Sequence, residues 1–347
     1  MNDVRQGGLQ YHTIKEFRLK SGTVMPEAVI AYRSLGTLAP DGKNAVLVTH
    51  GYTSGPDMIA PGGTAGEGGW QELVGPGKPI DTQRYFVVCP NMLGSSYGST
   101  NGASVDPATG RPYGSRFPAI SVSDIVASQK KLLDALGVRR LVAAAGPSYG
   151  GFQGFQWAVD FPDFVGGVVA AVTAPRRERA TAEANVMRTL ALLSEDPNWN
   201  GGNYYDRGGV LETMTRLRMA TLIGYGIEAK LRETMTDPAA ISAAVRERAA
   251  GWAAGFDANS LVILGRAMIG FDTMPRFREI RAKMLYVLSR TDALFPPPLT
   301  EWVMPALRDA GVDADYFEID SEFGHMASGL DAGKWAGRLR AFMEALG

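Results

Sequence analysis

The chain has 347 residues, of which 45% are hydrophobic and 20% charged. This is the make-up of a folded protein with a sizeable core, either one large domain carrying an insertion or two domains. Lys and Arg number 35 against 36 Asp and Glu, so no bulk field exists to attract nucleic acid or an anionic membrane, and one cysteine, Cys89, excludes an internal disulfide and a Cys-based zinc site.

The N-terminal stretch through Phe17, with His12 inside it, reads as a polar arm without the apolar segment of a signal peptide. The first strand signal is Ala45 to Thr49, followed by Tyr85 to Cys89 and Leu141 to Ala145. Each is a short continuous apolar run stopped by turn residues, the pattern of a strand buried on both faces of a parallel sheet. Cys89 is then a buried strand residue. Between the second and third runs, Ser123 to Leu136 places Ile125, Val126, Leu132, Leu133 and Leu136 on one helical face, with Asp124 near its start and Gly137 to end it. A further short helix is expected from Phe152 to Ala158, ahead of Pro162.

Val165 to Val172 is the next strand. The nearly apolar run around it, Phe164 to Pro175, is far shorter than the about 20 residues of a membrane helix. From Arg176 to Asp272 only helices are expected: Ala180 to Leu193, Leu211 to Thr234, Ala239 to Ala254 and Asn259 to Phe271. Strands resume with Met284 to Leu288 and, more weakly, Tyr316 to Ile319. The alternation predicts an α/β fold built on a mostly parallel, doubly wound sheet. Residues 1–175 and 273–347 form its core, and 176–272 an inserted helical lid.

The pattern G-x-S-x-G occurs twice, at Gly94 to Gly98 and at Gly146 to Gly150. It carries a nucleophile only as a tight strand-to-helix turn, as in α/β-hydrolases. Ser148 follows a strand and precedes a helix, whereas Ser96 leads into the turn formers Ser99-Thr100-Asn101-Gly102. Ser148 is therefore the expected nucleophile. A serine hydroxyl needs an adjacent base held by a third group. Of the three histidines, His12 sits in the arm and His50 ends a strand, while His325 follows the last strand, where the order Ser, acid, His puts the base. Asp292, after the strand Met284 to Leu288, is the expected acid, with Asp320 as second choice. The oxyanion donors are expected to be the backbone N–H groups of Tyr149, directly after the nucleophile, and Tyr52, in the turn Gly51 to Gly55. No dinucleotide or phosphate loop is present, so no cofactor is expected.

Longer strings then carry a resemblance. Leu73 to Thr82, Asn91 to Thr100, Pro107 to Gly114, Asp196 to Gly202 and Phe256 to Ser260 resemble the homoserine O-acetyltransferase family of α/β-hydrolases, over about Asn44 to His325. The resemblance implies a helical lid, a homodimer and a covalent acyl-enzyme on Ser148. It also exposes a departure. In the transferases an aspartate after the catalytic histidine and an arginine in a T-Y-R-S-like segment are associated with the amino and carboxylate groups of homoserine. This chain has Met326 and, after Tyr225, Gly226.

A zwitterion buried without partners is costly. The expectation is therefore a cytoplasmic carboxylesterase cleaving small neutral acetate esters, from the esterase-like branch of the family, with Gly51, Thr53, Tyr225 and Met326 lining its pocket. Arg218 and Arg216 are the candidates to supply a missing positive charge. An O-acetyltransferase using acetyl-CoA and homoserine is the alternative, and a catalytically idle binding scaffold is a third class that the intact Ser, Asp and His disfavour.

Overall fold

The computed structural model describes residues 7–60 and 69–347; residues 1–6 of the polar arm lie outside that range. Eight strands form one sheet: β1 (Gln10–Arg18), β2 (Val24–Leu35), β3 (Ala45–Val48), β4 (Phe86–Pro90), β5 (Leu141–Pro147), β6 (Val165–Ala171), β7 (Lys283–Ser289) and β8 (Ala314–Ile319). Their spatial order is β1-β2-β4-β3-β5-β6-β7-β8. Strands β3 to β8 pair in parallel, while β2 runs antiparallel to both β1 and β4.

The apolar runs of the central strands are buried on both sides. Along β3, Ala45 and Leu47 pack into one hydrophobic cluster and Val46 and Val48 into another. Successive side chains of a strand point to opposite faces, so the two clusters are the two faces of the sheet. One is covered by α1 (Val122–Ala135) and α2 (Tyr149–Asp160) together with Val303 and Leu307 of α8 (Thr300–Asp309); the other by Trp335, Leu339 and Phe342 of the C-terminal helix Ala332–Glu344. This is the expected α/β-hydrolase architecture. Helix α1 starts with a capping box, Ser121 accepting from the Asp124 N–H while Asp124 accepts from that of Ser121.

His12 lies in β1 rather than in an unstructured arm. Only Ile14 and Phe17 of that strand are buried, so its sequence lacks the continuous apolar signature of its neighbours. Residues 176–272 hold α3 (Arg179–Ser194), α4 (Leu211–Tyr225), α5 (Ile227–Leu231), α6 (Pro238–Ala253) and α7 (Ala258–Ala267). The expected single helix Leu211 to Thr234 breaks at Gly226, whose φ of 92° is left-handed and caps α4. The last helix ends at Ala267 instead of Phe271, because Gly270 turns the chain with φ 79°. An isolated bridge between Arg176 and Asp272 and a Thr273 N–H to Pro175 carbonyl bond of 3.0 Å bring the two ends of the block together.

Candidate active site

Ser148 stands between β5 and α2 with φ 56° and ψ −118°, a strained conformation for a residue with a Cβ and a cost of order 1–3 kcal/mol. The surroundings hold it there. Its N–H donates to Ala171 (2.8 Å), and its carbonyl accepts from the Thr173 hydroxyl (2.7 Å) and from the first turn of α2. The glycines flanking it permit close contact: a Cβ at Gly146 or Gly150 would lie 2.2 or 2.1 Å from the Thr49 carbonyl oxygen. Ser96, the rejected match, is buried, and its hydroxyl accepts from the Asp257 N–H (2.9 Å), tying the block 176–272 to the core.

His325 follows Gly324 on the turn after β8, and its Nδ1–H donates to Asp292 Oδ2 at 2.8 Å. Asp292 is buried. Its other oxygen accepts from the N–H groups of Leu294 (2.8 Å) and Phe295 (3.2 Å), so both oxygens are committed to holding one orientation. Asp320, the second choice, points outward and pairs with Arg290 at 2.7 Å. Tyr225 and Phe295 flank the imidazole, with ring centres 4.7 and 5.6 Å away. Both rings also line the chamber of about 350 Å³ that holds Ser148, so the His325–Asp292 pair packs against two side chains of that chamber's wall.

The turn after β3 passes directly beside the nucleophile: a Cβ on Gly51 would lie 4.0 Å from that of Ser148. The Tyr52 ring stacks on that of Tyr149, 6.0 Å between centres. Neither residue's N–H is taken by a backbone acceptor among the described residues. The third histidine, His50, has a different job. It is fully buried, accepts from the Met92 N–H (3.2 Å) and donates to the Gly51 carbonyl (2.8 Å). Burial lowers its pKa to about 4, so it stays neutral. A buried chain from Trp157 through Gln129 and Gln153 reaches the His50 carbonyl from below.

Two expectations about the pocket need correction. Tyr225 lines the Ser148 chamber, but Thr53 and Met326 line a neighbouring cavity of about 890 Å³, and Gly51 backs onto Ser148 without lining either. Met326 packs instead against Leu222, Ile227 and Leu231. Nor do Arg216 and Arg218 put a cation beside the serine. Arg216 is exposed and bonds Thr213; Arg218 is buried, donates to Thr53 Oγ1 (2.9 Å), and lies 4.5 Å from the Trp252 ring centre.

The cations of the Ser148 chamber are Arg177 and Arg188. A doublet of arginines directly after an apolar run is visible in the sequence, yet it reads as a solvated boundary. Among the described residues there is no cluster of three or more His, Cys, Asp or Glu able to hold a metal, and no helix is long and apolar enough to cross a membrane.

Residues 44–331 match the model of the alpha/beta hydrolase fold. The chain is 35% identical to a homoserine O-acetyltransferase of Methanosalsum zhilinae, over 93% of this chain and 70% of that one. It is 34% identical to a homoserine O-acetyltransferase of Rhodospirillum rubrum, over 94% and 90%. The crystal structure of esterase E22 superposes with a TM-score of 0.87 at 25% identity, covering 97% of this chain and 99% of that one.

Proposed function

Since the chain belongs to the homoserine O-acetyltransferase family of α/β-hydrolases, we propose that it transfers an acyl group through an ester on Ser148 to an acceptor hydroxyl. The observation that carries this reading is the Asp292-oriented His325 packed against Tyr225 and Phe295, two walls of the chamber that holds a strained elbow serine.

In the proposed cycle the Ser148 oxygen attacks the acyl carbonyl and its proton passes to His325 Nε2. The Tyr52 and Tyr149 N–H groups take the developing oxyanion. Collapse expels the donor's alcohol or thiol, which leaves with the proton from His325. The acceptor O–H then gives its proton to the freed imidazole and attacks the acyl-serine, and Ser148 recovers its proton as the new ester departs. The helical block 176–272 covers this chamber as a lid, and the family names support acetyl as the acyl group and homoserine as acceptor.

Those names favour transfer over the hydrolysis expected from sequence. The hydrolytic reading keeps one specific support: Met326 and Gly226 bring neither an acid nor an arginine to the positions associated with homoserine. Supplying the purified protein with 4-nitrophenyl acetate, and separately with acetyl-CoA and homoserine, tests the choice. The proposal expects O-acetylhomoserine to form faster than free acetate; release of acetate alone, with homoserine without effect, would establish an esterase.

A further inference from the structure

Arg177 enters the Ser148 chamber from the neck of the helical block. It is half-buried, its Nε is shielded from solvent, and that nitrogen has no hydrogen-bond partner among the described residues. Burial lowers the pKa of the guanidinium, with Tyr225 and Glu178 opposing the shift more weakly, and no carboxylate among the described residues pairs with it directly. The nearest acid in sequence, Glu178, is committed elsewhere, since its carboxylate caps α3 by accepting from the N–H groups of Ala180 (3.1 Å) and Thr181 (2.7 Å).

No aspartate or glutamate among the described residues lines the chamber, whereas a second cation, Arg188, stands in its wall beside Asn185 at 3.1 Å. A partly desolvated guanidinium with an open donor face loses hydration without compensation until an anion arrives. Its flat fork suits a carboxylate held by two N–H groups. Phe295 fixes the place. Arg177 lies 5.6 Å from that ring's centre and the His325 ring centre is 5.6 Å from it as well, so the cation and the general base share one aromatic neighbour.

We propose that Arg177 is a specificity-determining residue which binds a carboxylate of the substrate while its ester or hydroxyl group meets Ser148 and His325. The inference rests on the acyl-enzyme reading above and names the residue that would hold the substrate's carboxylate there. The carboxylate can belong to the acceptor or to the acyl chain.

Two arms separate these sources. On the acceptor side, acetyl transfer from 4-nitrophenyl acetate to 4-hydroxybutyrate is compared with transfer to 1-butanol. On the acyl side, kcat/KM for the mono-4-nitrophenyl ester of succinate is compared with that for 4-nitrophenyl acetate. The wild type is expected to prefer the carboxylate-bearing compound in at least one arm. Arg177→Met should reduce that preference at least about ten-fold, the scale of one charge-assisted hydrogen bond, and Arg177→Lys should keep part of it. No preference in either arm, or a preference untouched by Arg177→Met, would overturn the proposal.

A measurement on the unaltered protein guards against a misfolded variant. Butyrate should protect Ser148 from a fluorophosphonate at concentrations where 1-butanol does not, and equal protection counts against the proposal. Failure of the acyl-enzyme reading shows differently, as absence of both labelling and nitrophenolate release. Carboxylate binding is then read by calorimetry with butyrate on wild type and Arg177→Met, and equal affinities reject it.

Discussion

At the residue scale the clearest consequences concern Ser148, His325 and Asp292. Ser148→Ala is expected to abolish fluorophosphonate labelling while Ser96→Ala retains it. Asp292→Asn should lower kcat by about three to four orders of magnitude, because the imidazole then loses the acceptor that fixes its tautomer. Adding it to Ser148→Ala should lower the residual rate little further, since residues acting as one unit are not additive. If Asp292→Asn leaves the rate intact, the acid has been misassigned.

His50 gives a prediction of another kind. It is neutral in the fold, with a pKa lowered from 6.5 to about 4 by burial. Between those values the unfolded chain binds the extra proton, so stability is full above about pH 6.5 and declines as pH falls toward 4. The decline is of order 3 kcal/mol. Urea denaturation at pH 7.5 and 4.5 should show this loss, and His50→Gln should flatten the profile while lowering stability at pH 7.5. An unchanged pH slope in that variant would assign the effect to other groups. Ser148, His325 and Asp292 could be proposed from sequence because each follows a strand of the sheet, and the structure places Asp292 within 2.8 Å of His325. Arg177 could not: a cation becomes informative only when burial and the absence of a counter-ion are seen, and both are tertiary facts.

At the scale of elements, the central strands could be read because burial on both faces demands uninterrupted apolar runs. The hairpin β1-β2 at the edge could not, since β1 buries only Ile14 and Phe17 and the apolar residues of β2 are interrupted by Pro26, Glu27, Arg33 and Ser34. The junction of α4 and α5 shows the same limit. Nothing in the helical periodicity of Leu211 to Thr234 announces a break, yet Gly226 adopts φ 92°, where a side chain costs about 1–2 kcal/mol. A Cβ there would lie 3.4 Å from the Phe323 carbonyl oxygen, close to the turn that carries His325.

Installing an arginine at 226 and an aspartate at 326 is therefore not the simple restoration of a homoserine site that the sequence suggests. Met326→Asp places a carboxylate among Leu222, Ile227 and Leu231, an uncompensated buried charge worth about 3–5 kcal/mol of destabilisation. The expected result of Met326→Asp with Gly226→Arg is a large fall in melting temperature before any gain in homoserine use. A double variant with wild-type stability and improved transfer would show that α4 and α5 can repack around both charges.

Across the whole molecule, the block 176–272 is not one mechanical unit. Its last helix belongs to the core: Ile263, Leu264 and Ala267 of α7, with Phe271 just beyond, pack in the same cluster as Phe152 and Leu47. The Tyr149 hydroxyl also donates to the Leu264 carbonyl at 3.2 Å. By contrast, α5 and α6 bury Ile227, Leu231, Ile241, Val245 and Ala249 in a small separate cluster with Leu222 of α4. Met326 and the half-buried Leu330 and Tyr225 link that cluster to the rest of the molecule. Elements with few apolar contacts to the main core open locally at a lower free energy than the whole fold. Native-state hydrogen exchange read by mass spectrometry should find peptides within 227–253 exchanging through a sub-global opening, while those covering 258–267 exchange only with global unfolding. The segment 227–253 walls the cavity of about 890 Å³ that Thr53 and Met326 line, so its opening would widen that cavity. A carboxylate ligand at Arg177 should protect the neck at 176–179 more than α6. Equal protection of 227–253 and 258–267 in the free protein would show that the block moves as one body.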